Sequence, residues 1–166
     1  MISIKIKDHK QFMDLLLTST TFDSFELKEA NFVKNLSIFI DGKDQEKKCI
    51  EQNNNSQYIS FSNTRNLLFD CLKGKALPKT FKIILLLPIT DFLSLLSTKP
   101  DDVDYNNISH LLINIKYLDD VITLTSSLSY SDFTLDKTIE RLWDKYLIYF
   151  LEKNNVSFIE LNGLQE

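Results

Sequence analysis

The stretch Ser62–Asp70, SNTRNLLFD, has an echo in Asp136–Asp144, DKTIERLWD, and this echo constrains the architecture more than any other feature of the chain. A shift of seventy-four positions sets Thr64 on Thr138, Leu68 on Leu142, Phe69 on Trp143 and Asp70 on Asp144. A shift of eighty sets Phe12 on Phe92, Leu15 on Leu95, Leu16 on Leu96 and Thr18 on Thr98, and loop lengths absorb the difference. Both matches fall on amphipathic patterns, so the chain reads as one unit written twice.

Local signals support that reading. ISIKIK, residues 2 to 7, alternates Ile2, Ile4 and Ile6 with polar residues, the period of a half-buried strand. Asp8 then caps a helix through KQFMDLLLTS, with Phe12, Met13, Leu16 and Leu17 on one face. FELKEANFV and NLSIFID form a hairpin joined at Lys34 and Asn35 and closed by Asp41-Gly42. KDQEKKCIEQNNNSQ is a polar surface loop, YISFS a short strand, and Asn63 to Lys73 a helix stopped by Gly74. The second half repeats the order. TFKIILLL is a strand ended by Pro88, ITDFLSLLS a short helix, and HLLINIKY and VITLTSSLS a hairpin turning at Leu118 to Asp120. FTLD is a brief strand before the longest helix, Lys137 to Lys153, which lines Ile139, Leu142, Trp143, Tyr146, Phe150 and Leu151 along one side. Ser157 to Leu161 adds a last strand.

The expected fold is therefore α+β: antiparallel sheet with helices on one side, built from two similar β-α-β-β-β-α halves, 1–77 and 78–154, plus a C-terminal strand and tail, 155–166. At 166 residues with 43% hydrophobic content, the chain encloses one core and forms a single domain, 1–166. The doubled unit resembles the half-domains of DNA sliding clamps. LKEANFVKNLSIFIDG looks like the first hairpin of a clamp domain and VITLTSSLSYSDFTLD like its last two strands. Clamp domains lack a long helix where Lys137 to Lys153 falls. A more specific resemblance, carried by TFDSFELKEANF, FDCLKGKALPKTFKI, LLINIKY and FTLDKTIERLWDK, is to an uncharacterised family of small proteins from low-GC Gram-positive bacteria. It implies no activity and transfers no functional residue.

Charge narrows the function. The net charge of -4 removes the global pull on phosphates that nonspecific nucleic-acid binders show. The two cysteines, Cys49 and Cys71, form neither a disulfide framework nor a CxxC pair, and the N-terminus has no continuous apolar run, so the protein reads as cytoplasmic. The sharpest local feature is KGKALPKTFK, where Lys73, Lys75, Lys79 and Lys82 follow Arg65 with no acid between Asp70 and Asp91. A turn anchored by Gly74 and Pro78 would offer these cations to phosphates or to an acidic partner, against the plainer reading of lysines that keep a strand edge soluble.

The remaining candidates carry less. Lys137, Arg141 and Lys145 alternate with Asp136, Glu140 and Asp144, which predicts (i, i+3) pairs such as Lys137 with Glu140 and no basic stripe. DDVDYNN offers Asp102, Asp104 and Asn106 at the first EF-hand ligand places, but Asn107 stands where the glycine belongs and Ile113 where the bidentate Glu does. Histidine occurs only at His9 and His110, and three glycines cannot build a phosphate-cradling loop. No cofactor and no metal is expected. The function expected is that of a non-catalytic binding protein with a protein partner, linked to DNA metabolism through the clamp resemblance. The alternative is a metal-dependent nuclease using Asp14, Glu26 and Lys28.

Overall fold

A computed structural model describes residues 1–46, 57–74, 78–96, 105–132 and 136–161. Strand β1 (Ser3–Ile6) leads into helix α1 (His9–Thr18), whose first turn is capped by Asp8 accepting from the Gln11 amide. The hairpin β2 (Glu26–Val33) and β3 (Ser37–Asp41) follows, then β4 (Ile59–Ser60) and α2 (Phe61–Leu72). The second half holds β5 (Thr80–Pro88), α3 (Ile89–Leu95), a 3-10 turn at Tyr105–Asn107, the hairpin β6 (Ile108–Leu118) and β7 (Val121–Tyr130), α4 (Thr138–Lys153) and β8 (Phe158–Glu160). The strands form one antiparallel sheet in the order β3-β2-β5-β6-β7-β1-β8, with β4 beside β2. No described helix is long and apolar enough to cross a membrane.

The protein is thus α+β, and alternation along the strands decides which sheet face is covered. Ile4, Ile6, Phe32, Ile83, Leu85, Ile113, Ile115, Ile122 and Leu124 point to one face and join a core shared with buried residues of all four helices. Each fully buried side chain of this kind contributes about 1.5–3 kcal/mol. Among the described residues the opposite face carries a small buried apolar cluster, Ile84, Leu86 and Leu112, with Tyr58 against it. Aromatic rings tie the layers together: Phe22 meets Phe12, Phe25 and Phe150, and Trp143 meets Phe25, Phe92 and Tyr146.

Two glycines and one turn set local geometry. A Cβ at Gly42 would lie 1.8 Å from the Leu27 carbonyl oxygen, so only glycine fits where β3 leaves β2. Gly74, at φ +126, lies just beyond the end of α2. The β6–β7 hairpin turns on Asp119 and Asp120, both at positive φ (52 and 58), which suits the right-handed twist of the flanking strands.

Several expectations are corrected. Phe61 opens α2 rather than belonging to a strand: its side chain is fully buried and its amide donates to the Phe25 carbonyl. The pairing of Phe69 with Trp143 does not hold in burial, since Trp143 is fully buried while Phe69 is 41% exposed. Buried Thr64 and Leu68 instead match buried Ile139 and Trp143, one position further along. Glu140 and Asp144 both pair with the Met1 ammonium, so the carboxylate expected to meet Lys137 faces β1's N-terminal end. FTLD lies mostly outside the described residues, as do most of the polar loop and the acids of DDVDYNN; Ile113 is a core residue.

Candidate functional site

A cleft lies on the helix side of the sheet, between α1, the end of α2 and the strand ends at the β6–β7 turn, with a volume of about 470 Å³. One wall is a stripe of α1: His9 and Lys10, Met13 and Asp14, Leu17 and Thr18, spaced four residues apart and so stacked on one side of the helix. The opposite wall is Phe69, Leu72 and Lys73 at the end of α2. The floor is Phe81 and Tyr117, directly opposite each other in the β5–β6 register, with ring centroids 5.2 Å apart and planes 12° apart.

Polar groups at the cleft's rim hold this frame. The Tyr117 hydroxyl donates to Asp120 Oδ1 at 2.6 Å, which fixes the ring and raises the phenol's pKa, with burial adding to the rise. His9 Nε2 lies 3.2 Å from the Ile6 carbonyl oxygen. The Lys34 ammonium donates to the carbonyls of Leu72 and Lys73 at 3.1 and 3.0 Å, satisfying acceptors that the end of α2 leaves open. Lys73 pairs with Asp70 at 2.7 Å and sits 6.0 Å from the Phe69 ring centroid. Both partners of that pair are largely exposed, so the pair contributes little and is easily exchanged. What remains is an apolar trough with charges at its mouth, suited to holding an apolar group.

The structure does not gather the basic residues read from the sequence into one patch. Lys73 lines the cleft, and Lys75 lies outside the described residues. Lys79 is exposed at the entry to β5. Lys82 follows Phe81 and therefore points to the other face of the sheet, where it pairs with Glu29 at 3.0 Å. Arg65 is committed to structure, bonding the Ser19 carbonyl and the Asp23 carboxylate and so tying α2 to the turn after α1. The spacing of lysines in sequence hid the strand alternation that separates them.

The nuclease set is likewise divided. Asp14 lines the cleft, whereas Glu26 stands opposite Leu86, whose side chain belongs to the cluster on the far face. Among the described residues no group of three or more His, Cys, Asp and Glu side chains could hold a metal ion. Sequence reasoning missed Tyr117, Asp120 and Phe69 as members of a site. The α1 stripe was visible as a four-residue spacing, but the Phe81–Tyr117 floor needs the β5–β6 register to be known.

The model of a family of unknown function, DUF5721, matches residues 15–159, which takes in α2, the ring floor and the last turn of α1. The chain belongs to that family. Comparison with curated proteins and with solved structures returns no match.

Proposed function

We propose that this DUF5721 chain is a non-catalytic, cytoplasmic bacterial protein that acts by binding, and that its cleft takes an apolar side chain from a short segment of a protein partner. The observation that carries the reading is the stacked Phe81–Tyr117 floor between two helix walls, an apolar trough on which, among the described residues, no nucleophile, base and oxyanion donor converge. Lys10 and Lys73 at the mouth are exposed and favour an acidic residue beside the anchor. The recurring order of strand, helix and hairpin, and its likeness to clamp half-domains, keeps proteins of DNA metabolism among the partners to be tried.

The test uses a phage-displayed random peptide library as probe. Peptides enriched on the full chain are expected to share an apolar anchor with an acidic neighbour, and to lose at least tenfold in affinity on the Phe69→Glu, Lys73→Glu double variant. Enriched peptides that bind the double variant equally, or no enrichment at all, would overturn the proposal. Incubation with DNA or RNA and Mg²⁺ or Mn²⁺ serves as the catalytic control: cleavage that disappears on Glu26→Ala would favour the nuclease.

A further inference from the structure

Strand β3 forms one edge of the sheet, and apart from Asp41 at its end it carries few of the devices that keep edges from pairing. Its sequence, SIFID, has no lysine, no proline and no bulge in its register with β2, and its flank and centre expose Leu36 (63%) and Phe39 (64%). The other edge, β8, is only three residues long.

The phase of the β2–β3 ladder says which backbone groups face outward. The Gly42 amide donates to Lys28 at one end and the Lys34 amide to Leu36 at the other, so the bonded pairs are those of even-numbered residues. Ile38 and Ile40 therefore spend their N–H and C=O on β2. Ser37, Phe39 and Asp41 direct theirs to the open edge, where no described backbone group bonds them.

We propose that β3 pairs with β3 of a second copy of this chain, antiparallel about a two-fold axis at Phe39. In that register the segment is self-complementary. Phe39 meets Phe39, Ser37 meets Asp41 as a hydroxyl–carboxylate pair, and Ile38 meets Ile40 on the helix face, extending the row in which both pack against the core. The outward-facing residues supply three narrow pairs, 37 with 41, 39 with 39 and 41 with 37. Each residue of these pairs both donates and accepts. An isologous contact of this kind closes at two copies, joining two eight-stranded sheets into one continuous sheet without propagating into a fibre. Its small area belongs to the weak end of specific interfaces. This surface is separate from the cleft, and the proposal does not depend on the cleft's ligand.

Sedimentation velocity on the full chain, over a concentration series from about 1 μM to about 1 mM, is expected to show a shift from one 19.4 kDa chain towards two. Phe39→Lys places like charges directly opposite each other and is expected to hold the protein at one chain throughout. A second measurement is independent of that variant's folding. In a Cys49→Ser, Cys71→Ser background, Phe39→Cys is expected to cross-link on mild oxidation, because narrow-pair Cα atoms lie about 5.5 Å apart, within disulfide range. Ile38→Cys, which faces residue 40 of the other copy, is expected not to. One-chain mass across the whole series, or cross-linking no faster at position 39 than at position 38, would overturn the proposal.

Discussion

Replacing Trp143 with phenylalanine tests whether the core is organised as described. The indole is fully buried, stacked on Tyr146 with centroids 5.7 Å apart, edge-on to Phe92 at 5.5 Å, and its Nε1 donates to the Leu112 carbonyl at 3.1 Å. Trp143→Phe removes about 40 Å³ of packed volume, which at 24 cal/mol per Å³ costs about 1 kcal/mol. Loss of the hydrogen bond from α4 to the sheet costs about 1–2 kcal/mol more. The sum, about 2–3 kcal/mol, corresponds to a fall in Tm of about 4–12 °C for a chain of this size. Urea unfolding followed by far-UV circular dichroism is the right assay, because the substitution removes the only tryptophan and with it the fluorescence signal. Phe69→Leu, at the half-open cleft wall, is the control and should cost less than about 1 kcal/mol. A Trp143→Phe loss below about 1 kcal/mol with an unchanged denaturant slope would refute the assignment of Trp143 as the link between α4 and β6.

Three further outcomes follow from single residues. Ser126 is fully buried, accepts from the Ile2 amide at 2.9 Å and donates to Asp144, so Ser126→Ala should cost about 1–3 kcal/mol in a urea melt by stranding the Ile2 amide and taking one of the Asp144 carboxylate's donors, the Met1 ammonium remaining as the other. Burial, helped by the Lys28 charge, lowers the pKa of His110; the unfolded chain then binds the proton more readily, and stability should decline as pH falls below 6.5 towards the folded value. His110→Gln should flatten that part of the stability–pH curve, and an unchanged slope would assign it to other groups. Asp119 holds φ +52 with no requirement for its side chain among the described bonds, so Asp119→Gly should raise stability by about 0.5–1 kcal/mol, read as a higher Tm.

Much of the fold was legible because local chemistry and global pattern agree. The Ile2, Ile4, Ile6 alternation, the Asp8 cap, the break at Gly74 and the turn before Val121 each place an element within a residue or two of where it lies. Periodicity also picked out the buried side of α4, apart from Leu147. It could not supply partnership between strands. Nothing in ISIKIK says that β1 pairs with β7 and β8, nor in TFKIILLL that β5 lies between β2 and β6. The site depended on that missing information. Phe81 and Tyr117 are 36 residues apart in sequence yet directly opposite in register, while Lys79, Lys82 and Lys73 are close in sequence yet split by strand alternation and a helix end.

The seating of β1 has a consequence for how the chain is made. Lys5 finds one neighbour at Thr123 and the other at Ile159, so β1 leaves the ribosome long before either of its partners has been made. Until β7 has emerged Ile4 and Ile6 have no sheet to enter: nascent chains shortened before residue 121 should leave the β1 segment open to protease, whereas chains that include β7 but stop before residue 158 should hold it along one edge only.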